Sequence, residues 1–232
     1  MAVEPQDGDG RRRRGWDGRD GQDGMDGMRE RTAGGAAFFD FDGTLVRGDS
    51  LLPFLSQTVG YRRARLSLVQ AIRAGFLLRR RDGGRGDGGR DVRTTIKEVL
   101  LALTLKGVPL AEAQAAAERL AGWPRWNARI RGELDRHRDA GRRIVVATGA
   151  LAIYMPVLLR GLPVDHLLAT ELEVEDGVLT GRMAGGNCVR ASKAERVARY
   201  LAEHGPFGET WGYGNRPSDL AMLDLLHNRT IV

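Results

Sequence analysis

Cysteine is almost missing from this chain. Cys188 is the one example among 232 residues, so no internal disulfide can form, and a reducing, cytoplasmic setting is expected. With no second thiol to pair with, Cys188 is expected to be a small side chain in or near a loop. Long apolar runs are missing as well. Nothing approaches the roughly 20 consecutive apolar residues of a membrane-spanning helix; the best stretch, residues 66–78, is broken by Gln70 and Arg73. The arginines near the N-terminus precede no apolar stretch with a small-residue cleavage site, so no secretory signal is expected. Lysine is scarce too: Lys97, Lys106 and Lys193 are three of 36 basic residues. The net charge of +6 is uneven. Residues 1–35 carry seven arginines against eight acids, and residues 61–95 carry ten against three. An excess confined to one segment of an arginine-biased chain argues against a phosphate-binding face, and no nucleic-acid partner is expected.

What is present divides the chain into three parts. Residues 1–34 repeat Asp-Gly around an arginine run at 11–14, with almost no apolar residues. Such a segment buries too little surface to offset its ordering entropy and is expected to be disordered. Ala36-Ala37-Phe38-Phe39 then reads as a buried parallel strand that ends at Asp40-Phe41-Asp42-Gly43-Thr44. From about residue 50 to 123 the apolar spacing is helical, with Leu66, Val69, Ile72 and Phe76 as one group and Ile96, Leu100 and Leu103 as another. A polar, glycine-rich loop at 82–89 separates them. A helix near 125–140 is expected to close on Gly141. A second buried strand, Ile144 to Ala147, ends at Thr148-Gly149. Asp176-Gly177 marks a hairpin, and Thr210 to Gly214 reads as a further strand, followed by a helix opening at Pro217 or Ser218. Repeated strand-then-helix order predicts an α/β fold with a Rossmann-like, doubly wound parallel sheet. In this reading residues 35–48 and 124–232 form the core, and a helical cap, residues 49–123, is inserted between the first two strands.

In an open parallel sheet, ligands bind beyond the carboxyl ends of the strands. Asp40 and Asp42 lie there, two residues apart around a tight turn. One carboxylate can attack phosphorus while the other donates a proton to the leaving alcohol and later activates water. Thr148 and Gly149 offer a hydroxyl and an amide to a phosphoryl oxygen. Lys193 can supply positive charge, and Asn215 and Asp219 can complete an oxygen shell around magnesium.

Four motifs occur in order: Phe38-Phe39-Asp40-Phe41-Asp42-Gly43-Thr44-Leu45, Val145-Val146-Ala147-Thr148-Gly149, Lys193, and Tyr213-Gly214-Asn215-Arg216-Pro217-Ser218-Asp219. In this the chain resembles the haloacid dehalogenase superfamily, in its phosphoserine-phosphatase-like branch, over residues 36–232. The resemblance implies a magnesium-dependent phosphatase acting on a phosphomonoester, such as a phosphoserine-like small metabolite, through an aspartyl-phosphate on Asp40. It makes Asp40 the nucleophile and a metal ligand. Asp42 becomes the acid/base and lends its carbonyl to the metal; Thr148, Gly149 and Lys193 bind phosphate, and Asn215 and Asp219 serve the metal. Similar phosphatases usually carry aspartate where this chain has Asn215, which keeps an oxygen but loses a charge. Residues 228–232 are also short for the family, which implies that the last strand is missing.

Two other outcomes stay open at this point: a lipid phosphatase, such as one acting on phosphatidylglycerophosphate, and a catalytically silent binding protein with the same fold. Asp49 sits where similar enzymes read a substrate amine, but Asp49 or Ser50 also suits the N-cap of a helix starting at Leu51. The arginines of 61–95 are expected on a solvated cap face, with peripheral contact at an anionic membrane surface as the sharper alternative. The four histidines lack metal-ligand spacing, and Trp123 and Trp126 are expected to pack where the cap rejoins the core.

Overall fold

A computed structural model describes residues 34–81, 91–215 and 217–232. The tail expected to be disordered, the loop at 82–89 and Arg216 of the fourth motif lie outside the described residues. Strand β1 (Ala36–Phe39) is followed by helices α1 (Leu51–Val59), α2 (Tyr61–Arg81), α3 (Val92–Leu105) and α4 (Leu110–Glu118), and then by α5 (Ala128–Asp139). Next come β2 (Arg143–Leu151), α6 (Met155–Leu158), β3 (His166–Glu175), β4 (Val178–Ala184), α7 (Arg190–His204), β5 (Thr210–Gly214), α8 (Leu220–Leu223) and β6 (Asn228–Ile231). The strands form one sheet in the order β4-β3-β2-β1-β5-β6, parallel except where β4 folds back on β3.

The sheet is doubly wound because β1 is apolar on both faces. Phe39 joins a cluster with Ile130 and Leu134 of α5, and Phe38 joins one with Val197 of α7 and Met222 of α8. A strand covered on both sides needs continuous apolar sequence, and Ala36–Phe39 supplies it. Chain order reverses beside β1: β2 and β3 run away on one side, β5 and β6 on the other. That switch point is where ligands bind in such sheets. The register brings Phe39 level with both Val146 and Tyr213, so the residues that follow each of them meet at one edge.

Several details depart from the sequence expectations. Strand β2 does not end at Thr148 but runs on to Leu151, with its pairing to β3 shifted between Ala147 and Leu151. The irregularity holds Thr148 and Gly149 outside regular pairing. The last strand is present: residues 228–231 pair in parallel with β5, because even four residues can cap the sheet edge there. Helix α8 opens at Leu220, later than expected, since Ser218 and Asp219 are used for side-chain bonds near Asn215. The Asp176-Gly177 turn is as expected, with both residues at positive φ (49° and 76°), as a tight hairpin turn requires. Gly141 follows α5 at φ 69°. Helices α1 to α4 stand between β1 and β2 in sequence, and Gly107 and Leu110 bond to the β3–β4 hairpin at Leu179 and Gly177.

Candidate active site

Asp40 leaves β1 with its amide bonded to Tyr213 O at 2.9 Å, which continues the β1–β5 pairing for one residue. Its buried carboxylate accepts from Lys193 Nζ at 2.8 Å and from Thr44 Oγ1 at 2.9 Å. The turn that returns Thr44 to Asp40 depends on Gly43. Its φ is 76°, and a Cβ there would come within 3.0 Å of Asn215 Nδ2. Lys193, 1% exposed at the start of α7, also donates to Asp219 Oδ1 at 2.5 Å. Burial pushes the Asp40 carboxyl upward against the pull of the ammonium. For Lys193, burial favours the neutral form, but the two carboxylates outweigh it and hold the amine charged. One ammonium thus bridges the side chains of two buried aspartates.

Asp42 faces the start of α1. Its Oδ1 accepts from Ser50 N at 3.0 Å and its Oδ2 from Ser50 Oγ at 2.9 Å; Ser50 Oγ in turn lies 2.9 Å from Tyr154 Oη. Burial, then the nearby Asp49, push the Asp42 carboxyl up to about 8. Ser50 therefore does not cap α1 with its side chain. Asp49 does so, accepting from Leu51 N at 2.9 Å while also lining the cavity.

Thr148 Oγ1 accepts from Ala150 N at 3.0 Å, which leaves its own proton available to a ligand. The Gly149 carbonyl on the same peptide plane is held by Thr170 Oγ1 at 2.9 Å and by Lys97 Nζ at 2.5 Å. Lys97 reaches from helix α3 and also donates to Asn187 Oδ1 at 2.8 Å. Burial lowers its pKa to about 8 against the pull of Asp49 and Asp42.

Gly214 ends β5 under Asp219, where a Cβ would sit 2.7 Å from the Asp219 Cβ. Asp219 is fully buried, with one oxygen on Lys193 and the other accepting from Asn215 N at 2.8 Å. Asn215 Nδ2 donates to Asp42 O at 3.1 Å, and its Oδ1 accepts from Ser218 Oγ at 2.9 Å. Asp40, Asp42, Thr148, Gly149, Lys193 and Asn215 thus line one cavity of about 540 Å³, with Asp219 behind it. Sequence reasoning missed Thr44, Tyr154 and Lys97 as part of this site, and saw Ser50 only as a cap. Their partners lie 4 to 104 residues away, and only the scarcity of lysine could have singled out Lys97. The histidines stay apart from it: His137 is buried between Tyr213 and Arg142, and no metal-binding cluster of His, Cys, Asp or Glu occurs among the described residues. Cys188 is buried beside Leu168 O, and Trp126 packs edge-on to Phe41.

Residues 37–224 match the family model of haloacid dehalogenase-like hydrolases. The chain belongs to that family. It lies in the phosphoserine-phosphatase-like branch: it is 28% identical over 186 residues to phosphoserine phosphatase SerB2 of Mycobacterium tuberculosis, covering 80% of this chain and 41% of that one. It is 30% identical over 217 residues to the probable phosphatase Rv3661 of the same organism, covering 85% and 68%. A solved structure of a protein of unknown function from Bordetella pertussis matches with a TM-score of 0.67 at 25% identity, over 86% of this chain and 90% of that one. The chain spans less than half of SerB2. The matched family is one of hydrolases, and the two Mycobacterium tuberculosis relatives are named as phosphatases.

Proposed function

We propose that this protein hydrolyses a phosphomonoester by in-line attack of the Asp40 carboxylate on phosphorus. The ester P–O bond breaks as an aspartyl-phosphate forms, and Asp42 gives its proton to the departing alkoxide. Asp42, now a carboxylate, takes a proton from water, which attacks phosphorus and breaks the Asp40–phosphorus bond to release inorganic phosphate. Lys193 holds the Asp40 carboxylate and balances charge on the phosphoryl group, and Thr148 Oγ–H with Gly149 N–H binds its oxygens. The observation that carries this reading is the pair of aspartates in unlike settings. Asp40 is bonded to an ammonium, and Asp42 sits in a slot that favours its protonated form.

The donor set suits magnesium. The Asp40 carboxylate, the Asp42 carbonyl and the Asn215 amide offer hard oxygens close together, with Asp219 holding Asn215 in place. A half-turn of the Asn215 amide would present Oδ1 in place of Nδ2, with Ser218 Oγ then accepting. When bound, the ion neutralises phosphate charge and makes phosphorus a better electrophile. Asn215→Asp restores a charge and is expected to lower the magnesium concentration for half-maximal activity roughly tenfold.

A phosphoserine-like substrate is supported by Asp49, Lys97, Arg93 and Arg190 on the cavity wall, which offer charges of both signs to a zwitterion. A lipid phosphate is the second reading, favoured by the apolar wall of Leu51, Leu52, Leu68, Ile96 and Leu100. Comparing phosphate release from soluble phosphomonoesters and detergent-dispersed lipid phosphates separates the two. Magnesium-dependent release of phosphate from p-nitrophenyl phosphate, lost in Asp40→Asn, is the expected first result. No turnover on any phosphoester at high magnesium would instead make the fold a silent binder.

A further inference from the structure

Helix α2 turns its small residues inward and its large apolar residues outward, the reverse of a helix serving only as a wall of the domain. Ala64 and Ala71 are fully buried, and Gly75 lies so close to α3 that a Cβ would sit 2.5 Å from Ile96 Cγ1. On the opposite side Leu66 is 66% exposed, Leu77 60%, Phe76 55% and Val69 47%. Positions 62, 66, 69, 73, 76 and 80, spaced by four and three, lie along one stripe that reads Arg-Leu-Val-Arg-Phe-Arg. The three arginines of that stripe are exposed. The helix sequence holds seven arginines and no aspartate or glutamate.

A face meant only for water does not need leucine and phenylalanine at this density. A second copy docking through the same face would set arginines against arginines with no acid on the helix to pair them. We propose that the outer face of α2 docks on an anionic lipid bilayer surface. Leu66, Val69, Phe76 and Leu77 enter the boundary between headgroups and acyl chains, and Arg62, Arg73 and Arg80 extend to lipid phosphates. The helix lies in the surface and does not cross it, because no helix among the described residues is long and apolar enough to span a membrane. Leu68 of the same helix lines the catalytic cavity, so the docking face and the cavity share one element. The inference stands apart from the choice of phosphoester.

The test is flotation of the full chain with vesicles of phosphatidylcholine alone and of equal parts phosphatidylcholine and phosphatidylglycerol. Binding to the anionic vesicles only, weakened by salt, is expected. Arg62→Glu with Arg73→Glu should weaken it by more than about fivefold per arginine. Leu66→Ser with Phe76→Ser should weaken it by more than about tenfold at the same salt. Turnover of p-nitrophenyl phosphate and circular dichroism of these surface variants, compared with the parent chain, report that each is folded. Failure of the parent chain to float with anionic vesicles overturns the proposal. So does binding that survives both double substitutions, which would place the contact elsewhere, or a dimer in solution that Leu66→Ser with Phe76→Ser dissolves, which would make the stripe a self-interface.

Discussion

The sheet and the helices inserted after β1, which we propose as core and cap, line one cavity by different means. On the core side Asp40 and Asn215 stand just beyond the ends of β1 and β5, and Thr148 stands at the irregularity within β2, so the sheet register sets their spacing. On the cap side Ser50 donates its amide and hydroxyl to the Asp42 carboxylate, and Lys97 reaches the Gly149 carbonyl with its side chain. The sheet contributes the groups proposed to react; the inserted helices contribute hydrogen bonds to them and to Gly149. Charge follows the same division. The core site confines its carboxylates around Lys193, whereas helix α2 places exposed arginines and apolar side chains outward. Such a division lets specificity and location change without disturbing the chemistry.

The largest effect is expected where the core is least able to adapt. Lys193→Met leaves Asp40 and Asp219 buried without their cation and should cost about 3–5 kcal/mol of stability, read from urea unfolding. A loss within the scatter of surface substitutions would mean that water or relaxation reaches the pair. Asp42→Asn keeps the hydrogen-bonding shape of the slot but removes the transferable proton. Its kcat should drop by roughly 10²–10⁴ with melting temperature little changed. A cap substitution should read differently: Lys97→Met is expected to raise KM roughly tenfold and to lower kcat by less, because it loosens Gly149 without touching a reacting atom. An equal loss in kcat would erase the distinction between the two sides.

The smallest effect lies behind the sheet. His137 donates or accepts at Tyr213 Oη over 2.8 Å, and burial, with Arg142 beside it, lowers its pKa from 6.5 to about 4. Below 6.5 the unfolded chain binds a proton that the folded chain refuses, so this contribution to stability is present above 6.5 and is lost as pH falls toward about 4. The melting temperature of the parent chain relative to that of His137→Gln should fall as pH drops across that window, a difference that leaves out the opposite contribution of Asp42 common to both chains.

Much of the core was legible because its signals are local. Four apolar residues before Asp40-Phe41-Asp42-Gly43-Thr44 announced both a buried strand and the turn that ends it. Asp176-Gly177 and Gly141 marked turns that need positive φ. The cap was legible as helices but not as contacts. The spacing of Leu66, Val69, Ile72 and Phe76 fixes that they share a side of α2, not which side faces in; only the fit of Ala64, Ala71 and Gly75 against α3 decides that. Ser50 could be read as a cap because nothing in the chain tells that its hydroxyl meets Asp42 and Tyr154. Lys97 acts across 52 residues on Gly149, beyond any local pattern. The sixth strand was expected to be missing because residues 228–232 are few, yet a short edge strand needs only one neighbour to pair with.

The most direct test of the central claim is to mix the protein with magnesium and a turned-over phosphoester, quench in acid, and find where phosphate is bound. A mass increase of one phosphoryl group on the peptide containing Asp40, labile to hydroxylamine and absent in Asp40→Asn, is the predicted result. Turnover with no phosphorylated Asp40, or turnover undiminished in Asp40→Asn, would contradict the account.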